Sequence, residues 1–288
     1  MNGRERKRAK KPKKTMAVNF AVYLVLALLA AAALFPVLFI AANSFMSEAE
    51  IMESYASDKI YLHLIPGDFS LEGYRNVFFA SPAYLMKFWN SMFISAAIVA
   101  GQVFVACLGG YGFAKFVFPL KNAVFYFLII LMMMPLQVTL VPNYIVLDRL
   151  GLIGSYAALI LPGIFSTFGV FLLAQIFSSI PDSIIEAAKL DGANHMKILL
   201  KIVIPHNKAG IAALVILNFI DNWNMVEQPL VFLKDSNKHP LSIFLANINH
   251  AQPGIAFVCG ILAIIPVFFL FLHLKDSLVY GIENANLK

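Results

Sequence analysis

Six long apolar runs constrain this chain more than any other feature, because a water-soluble fold has no place for them. They extend over about 17–42, 88–114, 123–142, 156–178, 209–230 and 255–274. A helix needs roughly 20 apolar residues to cross the hydrocarbon core of a bilayer, and each run is near or above that length. Composition agrees, since 60% of the 288 residues are hydrophobic and only 13% are charged. A soluble domain is about a quarter charged, so a soluble enzyme and a disordered chain are both excluded. Pro36, Pro135, Pro162 and Pro266 fall inside the runs, where neighbouring groups can satisfy the backbone that a proline frees.

Charge gives the orientation. Eight of the 22 Lys and Arg lie between Met1 and Lys14, directly before the first run. A signal peptide has an apolar core of only about 7 to 15 residues, so 17–42 reads as a retained anchor. With six crossings and an internal N-terminus, sixteen basic residues fall inside and six outside, which is the positive-inside bias. The +6 charge therefore reads as topology beside anionic lipid rather than as a nucleic-acid surface. Cys107 and Cys259 lie in apolar runs and read as small buried hydrophobes. His63, His195, His206, His239 and His250 show no metal-ligand spacing. Met132, Met133 and Met134 read as pliable packing.

The one long polar insert on the internal side runs from Ile180 to Pro205. Ser183 and Glu186 stand in the S-x-x-E relation of a capping box after Pro181. A helix starting there places Ile184, Ala187 and Ala188 on one side, and Gly192 ends it through positive φ. Asn194 then caps a second helix carrying Ile198, Leu199 and Ile202 until Pro205 breaks it. Periodicity alone leaves two readings open, an amphipathic connector at the membrane surface or a face that another protein approaches.

Glu186, Ala187, Ala188, Gly192, Ile202, Ile204 and Pro205 meet the spacing E-A-A, three residues, G, nine residues, I-x-[LI]-P. This resembles the EAA loop of ABC importer permeases, and Asp191 and Ala193 extend it to the EAA-xx-DGA form of the carbohydrate branch. Asn43-Ser44-Phe45 resembles the end of that family's first span. Pro66, Phe69, Ser70, Leu71, Glu72 and Tyr74 resemble its external P-x-x-F-[ST]-L-E-x-Y segment. Phe88, Asn90 and Ser91 resemble the opening of its core, Gly110 to Lys115 its second-span exit, and Leu152 to Leu172 a stretch of maltose-type second permeases. Val279, Gly281, Ile282 and Lys288 resemble its C-terminal signature, from which Glu283-Asn284 departs.

The resemblance implies an all-α, six-helix type I permease of a bacterial plasma membrane, with both termini cytoplasmic. The divisions it implies are a basic tail (1–16), a first helix (17–42), an external segment (43–87), a five-helix core (88–275) with its coupling loop (180–206), and a C-terminal tail (276–288). The implied partners are a homologous second permease, two ATP-binding cassette subunits, an extracytoplasmic solute-binding protein and the lipid bilayer. ATP and Mg2+ would sit on the partner ATPases, with no cofactor and no covalent chemistry on this chain, which has no G-x-x-x-x-G-K-[ST] phosphate loop. The loop around Glu186 would dock on an ATPase and transmit its closure. The implied cargo is a sugar or oligosaccharide. The alternatives are a glycerophosphodiester, polyol or peptide carried by the same architecture, or a membrane scaffold without transport.

The fifth run interrupts its apolar sequence with Asn218, Asp221, Asn222, Trp223, Asn224, Glu227 and Gln228. Polar groups at membrane depth are costly and face a cavity or a partner. As one helix, Asn218, Asp221 and Asn222 form one face and Asn224, Glu227 and Gln228 another, with Trp223 offering a flat surface to a sugar ring. Trp223-Asn224 and Pro229-Leu230 resemble the family's W-N…P-L pattern, while Met225, Glu227 and Gln228 depart from it. The alternatives are packing against the partner permease and a position near the external interface.

Overall fold

The computed structural model describes residues 13–55, 65–80, 82–251 and 253–285. The basic tail up to Pro12, Lys59, His63, Gln252 and Lys288 lie outside the described residues, as do the side chains of His250 and of the C-terminal signature. In chain order the helices are α1 (Lys13–Asn43), α2 (Glu48–Tyr55), α3 (Glu72–Arg75), α4 (Pro82–Lys115), α5 (Lys121–Met132), α6 (Leu136–Arg149), α7 (Ala157–Gly163) and α8 (Thr167–Ser178). They continue as α9 (Asp182–Leu190), α10 (His195–Ile198), α11 (Ile204–His206), α12 (Lys208–Trp223), α13 (Glu227–Phe232), α14 (Leu241–Ala251) and α15 (Pro253–Ala285). A π turn, Leu199–Val203, joins α10 to α11. Among the described residues the only β pairing is an isolated bridge between Met46 and Phe69.

Four segments are long and apolar enough to cross a membrane: Asn19–Asn43, Ala83–Lys115, Ala157–Ser178 and Ile255–Ser277. The count reaches six when two bent pairs are each taken as one span. These are α5 with α6, bent by 102°, and the segment His195–His206 with α12, bent by 81°. The third apolar run is thus not one straight helix. Pro135 lacks the N–H that would continue α5 and disfavours helical geometry at the residue before it; its own backbone is extended, with ψ 141°.

The fifth run also breaks, because α12 stops at Trp223 and α13 begins at Glu227. The Asn222 amide donates to the Asn218 carbonyl at 2.7 Å and the Asn224 amide to the Ile220 carbonyl at 2.9 Å, satisfying backbone acceptors at the ending helix. Pro229 cannot donate to the Met225 carbonyl, and the Ser242 hydroxyl does so instead, at 2.5 Å.

Small residues set the packing of α4 on α8. Ala106, Gly109 and Gly110 face Gly169, Val170, Leu173 and Ala174, the close approach typical of membrane helices. Around this seam lies a core containing Phe177, Ile180, Ile198 and Val203. Helix α1 touches the rest near its end, where Phe39 meets Phe257 edge-on at 6.0 Å, and otherwise exposes side chains such as Phe20 and Leu38. An apolar surface of that extent belongs against lipid or another subunit.

The two segments on either side of α2 close on each other. Phe45 stacks on Phe69 at 5.1 Å, the Ser44 and Tyr74 hydroxyls meet at 2.7 Å, and the Ser70 N–H donates to the Phe45 carbonyl at 2.8 Å. The Glu50 carboxylate accepts the N–H groups of Gly67 and Asp68 at 2.8 and 3.2 Å. Asn43-Ser44-Phe45 and the Pro66–Tyr74 segment therefore form one structural unit.

Candidate functional site

One end of the helix bundle carries the α9–α11 hairpin. Helix α9 begins at Asp182 with Pro181 as its N-cap and no side-chain cap, so the expected Ser183–Glu186 capping box is not formed. The start lies two residues earlier than that box requires, because the Lys115 ammonium donates to the Ile180 carbonyl at 2.5 Å and to the Asp182 carboxylate at 2.8 Å. Lys115, at the end of α4, is buried while Asp182 is exposed. The Lys115 hydrogen bond and charge hold the Asp182 carboxyl below its ordinary range. The charge pair therefore persists at neutral pH and is lost only as pH falls through that lowered value.

The buried side of α9 is Ile185 with the half-buried Ala188, against Ile198, Leu199 and Val203. Of two adjacent isoleucines only one can face inward, and Ile184 turns outward with Ala187 and Glu186, contrary to the expected grouping of Ile184, Ala187 and Ala188. Gly192, with φ +80°, ends the helix as expected. The Ala193 N–H reaches the Ala188 carbonyl and the Gly192 N–H reaches that of Lys189, each at 3.0 Å, a Schellman closure following the exposed Asp191. Asn194 caps α10 by accepting the Lys197 N–H at 2.8 Å. Pro205 does not stop the second limb, which runs to His206. A proline there cannot bond the Lys201 carbonyl and crowds it, and the π turn just before it supplies the wider winding. Ile202 and Ile204 pack partly buried on the core, and His195 Nδ1 lies 3.0 Å from the Tyr111 hydroxyl. Tyr111 and Lys115, one helical turn apart on α4, thus hold both limbs of the hairpin.

Lys115→Met should loosen α9 while the bundle stays assembled. A hydrogen bond from a charged donor, such as Lys115 to the Ile180 carbonyl, contributes about 1.5 kcal/mol, or roughly tenfold in an opening equilibrium. Hydrogen exchange should therefore accelerate about tenfold over 182–190 and remain unchanged in α8.

Three helix breaks at or beside the candidate spans converge on a cavity of about 520 Å³. Leu136 follows the α5–α6 bend, Ser166 caps α8 after the α7–α8 break, and Asn224, Met225 and Val226 form the α12–α13 break. Irregular backbone inside a bilayer is tolerated where it lines a cavity or is covered by protein. Asn218, Asp221, Asn222, Glu227 and Gln228 complete the polar wall, with Gln102 and Phe168. The expected two faces of one helix thus merge into one wall, because the chain turns after Trp223. Glu227 accepts both contacts of the Gln137 amide, at 3.0 and 3.3 Å, linking α13 to α6. The lining contains two carboxylates and no Lys or Arg.

Trp223 stands apart from this cavity. It is 4% exposed, stacks on Phe219 at 5.5 Å and meets Phe88 edge-on at 5.6 Å, so core packing has taken the faces expected for a sugar. Gln102 and Ser166 line the cavity and Gln137 bonds Glu227 beside it, and none of the three was expected there from sequence. A strongly polar Gln102 deep in the second apolar run was the available signal.

Fold and site together define a class: a polytopic helical membrane protein with a polar cavity at helix breaks and a helical hairpin presented at one end. Residues 102–282 match the family described as "Binding-protein-dependent transport system inner membrane component", and the chain belongs to that family. It is 29% identical over 262 residues to the sn-glycerol-3-phosphate transport system permease protein UgpE of Brucella abortus, covering 87% of this chain and 91% of the relative. The Salmonella typhi protein of the same name is 33% identical over 236 residues, covering 77% and 83%. In fold the chain resembles a solved chain of a bacterial ABC transporter involved in the import of the acidic polysaccharide alginate. That match has a TM-score of 0.79 at 21% identity, over 93% of this chain and 98% of the other. A chain of bacterial alginate ABC transporter in complex with alginate pentasaccharide-bound periplasmic protein gives 0.60 at 14%, over 88% and 93%. The protein is thus a membrane-spanning permease subunit of an ABC importer, which works with a binding protein, a second permease and ATPase subunits.

Proposed function

We propose that this subunit carries a sugar or oligosaccharide, received from the binding protein, through the cavity at the helix breaks. The observation supporting this is the wall itself. Asn218, Asn222, Asn224, Gln102 and Gln228 offer amides, and Asp221 and Glu227 offer carboxylates, groups that donate to and accept from hydroxyls. A wall with two carboxylates and no cation suits a neutral polyhydroxylated solute better than an anion. The second reading is an sn-glycerol 3-phosphate-like solute, favoured by the names of the relatives at 29% and 33% identity; its phosphate would then be held by the partner permease.

The hairpin around Glu186 is the ATPase docking lever in this reading, with Ala187, Asp191 and Gly192 on its exposed side. The basic N-terminal tail and the hairpin lie on the cytoplasmic side of the plasma membrane. Hydrolysis takes place on the partner ATPases, which hold ATP and Mg2+, and this chain is not an enzyme. Its own task is to convert rigid-body motion of the hairpin into opening and closing of the path.

Asp221→Asn and Glu227→Gln, singly and together, test the path in vesicles holding the complete transporter. Each removes a charge-assisted acceptor worth about 1.5 kcal/mol, so half-saturation for maltotriose should rise about tenfold. Unchanged uptake and selectivity in the double variant would remove the cavity from the path. Preferential uptake of sn-glycerol 3-phosphate over maltotriose would favour the second reading.

A further inference from the structure

Two residues of the cavity wall each bury a polar atom without a partner in this conformation. Gln102 is 9% exposed and Asn218 is 4% exposed; Gln102 Oε1 and Asn218 Nδ2 make no hydrogen bond. Both residues line the cavity at the helix breaks, Gln102 from α4 and Asn218 from α12. Native proteins leave few such atoms unpaired, and each calls for a reason.

The orientation of Gln102 is not arbitrary. Helix α7 ends at Gly163 and α8 begins at Thr167, so the Gly163 carbonyl has no helical donor four residues on. Gln102 Nε2 donates to that carbonyl at 2.8 Å. Because a carbonyl can only accept, the nitrogen must face it and Oε1 must point away as a pure acceptor. On α12 the Asn218 side-chain amide also has a buried, unpartnered end, and with no side-chain hydrogen bond to fix its rotation it can present its N–H as a donor. The same wall therefore carries one unused acceptor and one unused donor.

We propose that Gln102 and Asn218 form a hydroxyl subsite that opens when their side chains turn toward the cavity, both atoms being closed to solvent in this conformation, and that takes a solute O–H donating to Gln102 Oε1 while accepting from Asn218 Nδ2. A hydroxyl is the simplest solute group that performs both roles on one atom. A phosphate or carboxylate oxygen satisfies Asn218 alone and faces the Gln102 oxygen unfavourably. The neighbouring Asp221 and Glu227 carboxylates add to that discrimination. Sugars carry the required group, and so does the glycerol end of a glycerol phosphate. The subsite thus orients either solute by its hydroxyl end. This rests on the reading that the cavity lies on the solute path.

The test is direct binding of maltotriose and of sn-glycerol 3-phosphate to the purified complete transporter, by titration calorimetry. Gln102→Met and Asn218→Leu keep side-chain bulk while removing the acceptor and the donor. Ser95→Ala is the control: Ser95, also on α4, has an unpartnered buried hydroxyl but does not line the cavity. Size-exclusion elution and melting temperature verify that each variant assembles. The expected result is binding of at least one probe to the wild type, weakened about tenfold by either cavity variant and unchanged by Ser95→Ala. Inorganic phosphate should not compete for the subsite. Equal weakening by Ser95→Ala would overturn the subsite by reducing the effect to general polar burial, and failure of both probes to bind the wild type would overturn it as well. If Asp221→Asn and Glu227→Gln alter binding while the Gln102 and Asn218 variants do not, the subsite fails and the path stands. If none of the four alters it, the path reading fails with it.

Discussion

Gly110→Ala will sharply reduce the amount of folded permease, whereas Gly112→Ala, two residues along the same helix, will not. A Cβ built on Gly110 would lie 2.8 Å from the Leu173 Cβ and 3.0 Å from both the Ala174 nitrogen and the Leu173 carbonyl carbon. Those last two are backbone atoms of α8, so relief requires the two spans to part along the seam that holds the core. Overpacking of this kind costs about 1–3 kcal/mol, sometimes more. Replacing Gly by Ala in a helix returns only about 1 kcal/mol of propensity, so at Gly110 the clash wins. Around Gly112 nothing lies within 4 Å, and the propensity gain stands alone. Gly109 falls between, because its Cβ would meet the Val170 methyls at 3.1 Å, a contact that a small side-chain shift relieves. Thermal melting of the purified complex should rank Gly112→Ala highest, then Gly109→Ala, then Gly110→Ala. If Gly110→Ala melted with Gly112→Ala, the backbone of α8 would not limit how closely α4 packs on it.

The number and order of the apolar runs were legible because hydropathy over roughly 20 residues is a one-dimensional property. Gly192 and Asn194 were legible for a similar reason, since positive φ and a side-chain N-cap are local. What could not be read was which local possibility tertiary packing would select. The Ser183–Glu186 pattern is a valid capping box, but a buried Lys115, distant in sequence, fixes Ile180 and Asp182 instead. Pro135 signalled a kink, yet the 102° turn of α5 onto α6 depends on what α6 packs against. Along the fifth run, polarity alone implied contact with something. It could not separate Asn218 and Asp221, which reach the cavity, from Trp223, whose rings find Phe88 and Phe219. Gln102 was visible as an oddity within an apolar run, but its partner is the carbonyl of a break 61 residues away.

Glu186→Lys should cut coupled uptake about thirtyfold or more while leaving the permease at its normal level in the membrane. Glu186 lies on the exposed side of α9 and its side chain forms no hydrogen bond or ion pair among the described residues, so folding does not depend on its charge. The inward side of the helix, Ile185 and Ala188, is untouched by the substitution. If the hairpin docks on the ATPase as proposed, charge reversal acts at that contact alone. Disrupting a charge pair there costs 2–5 kcal/mol, of which even about 2 kcal/mol corresponds to a loss of roughly thirtyfold. The matching backbone test is Gly192→Val. Nothing within 4 Å would meet the new side chain, yet φ is +80°, a conformation that β-branched residues resist at about 1–2 kcal/mol. Gly192→Asn should be tolerated better, because Asn adopts the left-handed region more readily. Substrate-stimulated ATP hydrolysis by the reconstituted complex should therefore fall in the order wild type, Gly192→Asn, Gly192→Val, Glu186→Lys. Wild-type stimulation in Glu186→Lys would mean that the exposed side of α9 is a surface connector and that coupling enters elsewhere.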